Sequence, residues 1–274
     1  MQALPDIQDS VDDRGIALDE VGVANVRQPI TWRDGNVVQS SVGLIDVTVA
    51  LPADRKGTHM SRMVELAGEH LSDFDPRDLP TISKAFAVRC QAESVQLRLA
   101  MPIATQVAAP VSGIAGWQAH DVEIRAVRDG DHCEVELQVT TDVTSLCPCS
   151  KAISDYGAHN QRSRVTLTVL GDGDSPYPMS VSKAVELLRS VGSAPVYPVV
   201  KRPDERFLTM QAFDNPAFVE DIARDVSAAC REMDLPHNVS VVNLESIHGH
   251  DAVARLQWVP GRPEGDSRLL SRTD

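Results

Sequence analysis

Residues 145–163 read SLCPCSKAISDYGAHNQRS, and Cys147, Cys149 and His159 within them are side chains of the kinds that bind metal ions. Thiolate and imidazole are preferred donors to zinc-like ions. Only three such groups fall in this segment, whereas a structural zinc site closes its shell with four, so the shortage points to a coordination position left open for chemistry. Pro148 favours an extended chain, in which residues i and i+2 point the same way, and Gly157 lets the segment fold back to bring His159 near. The plainer alternative is two small loop or strand residues that hold nothing.

Three further stretches carry chemical side chains. In ESIHGHD, residues 245–251, His248 and His250 share a face of an extended chain, and Glu245 lies on the other face unless the backbone turns near Gly249. By itself this is a polar loop between strands. KRPDERFLTMQAFDNPAFVED, residues 201–221, has a basic start at Lys201 and carboxylates at Asp204, Glu205, Glu220 and Asp221. Most such carboxylates are solvated, and Glu220 sits early in a helix whose dipole favours it anyway. In RKGTHMSR, residues 55–62, the side chains of Lys56, His59 and Arg62 precede or open a helix whose unpaired N–H groups can bind phosphate, although a basic turn is the commoner reading.

The elements that must position these groups show in the hydrophobic periodicity. A strand is expected around Val21–Trp32, and Ile45, Val47, Val49 and Leu51 alternate as a strand with one buried face. Helical spacing then runs from Met60 to Phe74, and a second helix carries Ile82, Ala85, Phe86 and Val88. Strand patterns return at Val95–Met101 and Val122–Ala126, ahead of a turn at Arg128–Asp131. The second half repeats the grammar, with strands at Cys133–Val139 and Val165–Val169 and a helix at Val181–Val191. A further helix is capped by Asn215, with Pro216 in its first turn and Ile222, Val226, Ala229 and Met233 as its buried stripe. Strands near Val239–Leu244 and Ala252–Trp258 close the pattern. Each half thus reads strand, strand, helix, helix, strand, strand. The implied organisation is an acidic N-terminal tail over 1–20, a first unit over 21–130, a second over 131–259 that holds most of the chemical residues, and a tail over 260–274.

A chain of 274 residues can bury one large core or two smaller ones. The formal charge of −13 argues against broad binding to nucleic acid or to an anionic membrane. Five cysteines, an odd number on a long chain, argue for reduced thiols, and no apolar run approaches the ~20 residues that span a bilayer. A soluble, cytoplasmic protein is expected.

Together the strings LPDIQ, KGTHMSR, SLCPCSKAISDYGAHNQRS, KRPDE, NPAFVED and ESIHGHDA resemble one family, the type IB GTP cyclohydrolase I enzymes, in that family's order and over almost the whole chain. SLCPCSK followed by GAHNQRS is the specific part. One departure is Gly249, where relatives usually carry a larger polar residue.

The resemblance implies an α+β tunnelling fold of two tandem ββααββ units with antiparallel sheets and helices on one face. It implies a homotetramer with active sites at subunit interfaces. The activity implied is hydrolytic opening of the guanine imidazole ring of GTP to give 7,8-dihydroneopterin triphosphate and formate, the first step of tetrahydrofolate biosynthesis. By matching to the family's motifs, Cys147, His159 and Glu205 are the expected ligands of a divalent ion, zinc or manganese, with iron(II) also admitted. Cys149 is a further ligand or acts beside the ion. His248 is the expected proton donor near purine nitrogen 7, with Glu245 orienting it. Glu220 is the expected anchor of the guanine edge, and Lys56, His59, Arg62, Lys151 and Lys201 are candidates for the triphosphate. Two alternatives are a deazaguanine nitrile reductase of the same fold, which would consume a nicotinamide cofactor, and a non-catalytic purine-binding protein in which metal only braces the cysteine loop.

Overall fold

The alternation of apolar and polar residues extends beyond the stretches that sequence marks most clearly. The computed structural model describes residues 7–8, 10–35 and 37–262. Strands β1 (Leu18–Asp34) and β2 (Val37–Leu51) pair antiparallel, so the expected N-terminal tail gives up its last residues to β1. The rest of the chain runs α1 (Met60–His70), β3 (Asp73–Phe74), a 3-10 turn at Pro76–Asp78, α2 (Leu79–Cys90), β4 (Ser94–Ala108), β5 (Ala115–Asp129) and β6 (His132–Leu146). Then come α3 (Pro148–Ile153), β7 (Asn160–Asp172), α4 (Val181–Ser190), β8 (Ala194–Pro195), α5 (Arg202–Asp214), α6 (Val219–Glu232), β9 (His237–Asn243) and β10 (Ala252–Trp258). Most of the expected C-terminal tail lies outside the described residues. Among the described residues, no helix is long and apolar enough to cross a membrane.

The chain divides into two compact units. One takes the residues up to Met101 with Glu123–Leu137 and Gly171–Tyr177; the other takes Pro102–Val122, Gln138–Leu170 and the residues from Pro178 onwards. In the first, the strand order is β3-β1-β2-β4, antiparallel except for the short parallel pair of β3 with β1. Ile30, Trp32, Ile45, Val47 and Leu97 point to one side, where Met63 and Ala67 of α1 and Ile82 and Phe86 of α2 cover them. Helix α1 stops at His70, short of the expected Phe74. Phe74 pairs in β3 instead and sets its ring edge-on to Trp32, with centroids 5.3 Å apart.

In the second unit, β6, β7, β9 and β10 are neighbours in that order. Val165, Leu167, Val239 and Val241 meet the apolar stripes of α4 (Ala184, Val185, Leu188) and α6 (Ile222, Val226, Cys230). His120 on β5 is 1% exposed and bonds Thr105 on β4 at 2.8 Å and Thr141 on β6 at 2.9 Å. Burial, and next the positive charge of Arg189, push its pKa down to about 4. The order strand, strand, helix, helix, strand, strand is therefore present twice, as β1-β2-α1-α2-β4-β5 and β6-β7-α4-α6-β9-β10, with α3 and α5 added to the second half.

Local physics overrides two sequence expectations. Helix α6 starts at Val219, not at Pro216, because Asp221 accepts the Phe218 N–H at 3.0 Å and defines the helix start there. Asn215 instead ends α5, and its side-chain amide bonds Gly192 O at 2.7 Å. Pro148 does not extend the cysteine segment. It occupies the first position of α3, where its missing N–H costs nothing, so the extended conformation stops at Cys147.

Candidate active site

The second unit builds a pocket where three neighbouring strands change from apolar to polar without changing phase. The inward positions of β6 run Val143, Ser145 and, one step past the strand, Cys147. Those of β7 run back from Val165 through Ser163 and Gln161 to His159, and those of β9 run from Val241 through Asn243 to Glu245. The alternation that buries Val143, Val165 and Val241 therefore also delivers Ser145, Gln161 and Asn243, with Cys147, His159 and Glu245, to the lining of one cavity of about 290 Å³. That volume is at the lower end of small-molecule sites, roughly 300–1,000 Å³.

Backbone contacts fix the rim. The Cys147 N–H donates to His159 O at 3.0 Å, so the turn through α3 closes and the two residues sit side by side. Cys147 precedes the first turn of α3, where its sulfur accepts the Ser150 N–H at 3.4 Å. The Ala217 N–H donates to Leu146 O at 3.1 Å, and the Ser145 hydroxyl donates to Ala217 O at 2.7 Å. These two bonds lay the approach to α6 along the end of β6 and put Phe218 and Glu220 in the lining. Glu220 is left exposed there because Asp221, one residue on, takes the capping role.

The imidazole of His159 is half-buried. Its Nδ1 lies 2.8 Å from Gln161 Oε1 and 3.9 Å from Glu245 Oε2, the second distance being beyond hydrogen-bond range. Glu245, expected to orient His248, is thus close to His159. His248 and His250 both line the cavity, their rings stacked with centroids 5.2 Å apart.

Cys147, His159, Glu220, Glu245 and His248 are therefore brought together, and the other expected site residues lie elsewhere. Cys149 is inside α3 and exposed, since the helical turn breaks the same-side relation that an extended chain would have given it with Cys147. Glu205 is exposed in the first turn of α5 and does not line the cavity. Lys201 precedes that turn, and the Lys151 ammonium bonds Phe213 O and lies over the Phe213 ring. Lys56, His59 and Arg62 belong to the first unit. Among the described residues, no three His, Cys, Asp or Glu side chains stand close enough together to hold a metal ion.

On donor chemistry, Cys147 and His159 nevertheless fit a zinc-like ion. A backbone bond holds them side by side, both are of preferred types, and the imidazole Nδ1 has an acceptor in Gln161 Oε1, as one ring nitrogen of a metal-binding histidine almost always does.

The segment that carries Lys201 and Glu205 is held by a buried carboxylate. Asp204 accepts from Val111 N and Ser112 N, each at 2.8 Å, from Ser112 Oγ at 2.6 Å and from Lys201 N at 2.9 Å. Burial alone would raise its pKa. The Ser112 hydroxyl and the surrounding N–H groups outweigh that and hold the carboxyl below the usual range. Upstream, Gly116 makes room for this segment, since a β-carbon there would lie 2.8 Å from Pro198 Cγ.

Sequence reasoning missed Ser145, Gln161, Asn243 and Phe218, and noted His250 without giving it a role. For the first three a signal exists: each is a polar residue in phase with buried valines, a position that needs a partner when buried.

Comparisons with known proteins bear on this arrangement. The uricase of Arthrobacter globiformis aligns with a TM-score of 0.50 at 10% identity, covering 90% of this chain and 96% of that one, a likeness of fold alone. It shows the tunnelling fold. The family described as Type I GTP cyclohydrolase folE2 matches residues 4–254. GTP cyclohydrolase FolE2 of Bordetella petrii is 42% identical over 93% of this chain and 96% of its own length. GTP cyclohydrolase FolE2 of Herminiimonas arsenicoxydans is 38% identical over 94% and 98%. The chain belongs to the type I GTP cyclohydrolase folE2 family.

Proposed function

We propose that the protein is a metal-dependent GTP cyclohydrolase that opens the imidazole ring of guanine, releases carbon 8 as formate and yields 7,8-dihydroneopterin triphosphate for tetrahydrofolate synthesis. The observation that carries this reading is the convergence of Cys147, His159, Glu220, Glu245 and His248 on one cavity, in a chain whose family membership rests on other residues as well.

Cys147 and His159 hold the ion, zinc or manganese, with Glu205 as the third ligand on the strength of the family resemblance. When bound, such an ion supplies a water ionised near neutral pH. Glu205 is outside the cavity lining, so in this role its side chain would have to swing in or be supplied by another copy. The second route agrees with a homotetramer whose sites lie at subunit interfaces.

The remaining residues act on the substrate. Guanine presents two parallel donors, the ring N–H and the exocyclic amine, and the Glu220 carboxylate accepts both in one plane. His248 delivers a proton to nitrogen 7 as carbon 8 is attacked, and stacked His250 limits the positions its ring can take. Lys56, His59, Arg62, Lys151 and Lys201 are the candidates for the triphosphate.

Incubating purified protein with GTP and Zn²⁺ or Mn²⁺, with formate and pterin fluorescence as readouts, tests the proposal. Release of both products together supports it. Absence of formate from metal-loaded protein sinks it.

A further inference from the structure

Along the pocket lining, little-exposed hydrogen bonds form a chain whose polarity is set from one end. A backbone carbonyl only accepts, so the Ser145 hydroxyl, 2.7 Å from Ala217 O, gives its proton to that oxygen. Its own oxygen is left as an acceptor, facing Asn243 Nδ2 at 3.0 Å and Gln161 Nε2 at 3.5 Å. With its amide nitrogen turned toward Ser145, Gln161 presents Oε1 to His159 Nδ1 at 2.8 Å. Asn243 is oriented independently, because the Ser163 hydroxyl donates to its Oδ1 and leaves Nδ2 for Ser145.

Ser145, Gln161, Ser163 and Asn243 are each no more than 7% exposed, so bulk water does not offer these groups a different arrangement. Glu245, the other acceptor near His159 Nδ1, is too distant at 3.9 Å to take over from Gln161.

We propose that Gln161 is a positioning residue that fixes His159 as its Nδ1–H tautomer, leaving Nε2 with the lone pair that binds an ion, and that this setting originates at the Ala217 carbonyl through Ser145. The inference rests on His159 being a metal ligand, as argued above. It goes further in one respect. Ala217 begins the segment that carries Glu220, so a single hydroxyl sets both the imidazole at the ion and the approach of the purine anchor.

The test uses ¹⁵N-labelled full-length protein without metal. Long-range imidazole spectra report which nitrogen of His159 carries the proton, and Zn²⁺ titration against a competing chelator gives affinity. Wild type should show the Nδ1–H form. Gln161→Leu should lose that preference and bind Zn²⁺ about 10–100-fold more weakly. Gln161→Glu keeps an acceptor and should restore both properties, which a merely space-filling role would not require.

A wild-type tautomer and affinity in Gln161→Leu would overturn the inference. Where that variant does not fold, Ser145→Ala decides, since retention of a pure Nδ1–H signal there refutes the relay. His159→Ala separates the two claims. Unchanged Zn²⁺ affinity in His159→Ala removes the ligand assignment itself, whereas a loss there with no loss in Gln161→Leu removes the relay alone.

Discussion

Glu220 shows how one position in a helix can decide a role. It and Asp221 share the first turn of α6, where the helix dipole favours either carboxylate, but only Asp221 is turned back onto the Phe218 N–H. Glu220 remains exposed in the cavity lining. Glu220→Gln keeps the shape and one acceptor while placing a donor against a donor. Hydrogen bonds to a charged group contribute about 1.5–3 kcal/mol, so kcat/KM for GTP should fall about 10–100-fold. Zn²⁺ affinity should not change, and steady-state kinetics beside a metal titration check both. Cys147, His159 and His248 were legible because cysteine and histidine are scarce, and Glu220 and Glu245 because their strings resemble a family. Gln161 and Asn243 were passed over, because amides are ordinary surface residues and their phase with the apolar positions of the same strands marks them as buried only once those strands are known to be covered.

At the scale of elements, the short helices were the least legible parts. Alternation along β6 and β7 is visible over many residues, whereas α3 depends on a single proline and reads equally well as extended chain. Helix α5 has few buried side chains, so its periodicity is faint, and a long-range contact anchors its start. That contact is Asp204, held by the turn at Val111 and Ser112, over 90 residues earlier in the chain. Asp204→Ala should release the first turn of α5. Hydrogen exchange at the amides of Val111, Ser112 and Lys201 should become faster while the amides of α6 keep their protection. Equal protection at all three amides in the variant would show that the turn is held by other contacts.

For the molecule as a whole, the repeated order of elements was legible and the partition into units was less so. Strands β4, β5, β6 and β7 each contribute to both units, and a pattern of alternation carries no mark of where one core gives way to the next. Global stability should depend on pH through buried histidine. His120 stays neutral in the fold with a pKa of about 4, while in the unfolded chain it takes a proton near its ordinary 6.5. Between these values the unfolded state binds more protons, so this stabilisation is complete above pH 6.5 and is lost as pH falls toward 4, by about 3 kcal/mol at most. Burial lowers His237 as well, which gives the same sign. Thermal melts between pH 7.5 and 4.5 should show this decline, with a shallower slope in His120→Asn. An identical slope in that variant would exclude His120 as its source.

Because the three strands turn polar along one line while keeping their phase, the residues that make the protein durable and those that give it reactivity occupy successive segments of the same strands. Engineers should therefore find the two properties separable. Repacking around Val139, Leu167 and Val239 can raise endurance without touching turnover, and a new specificity can be drafted past Val143, Val165 and Val241 without redrawing the scaffold.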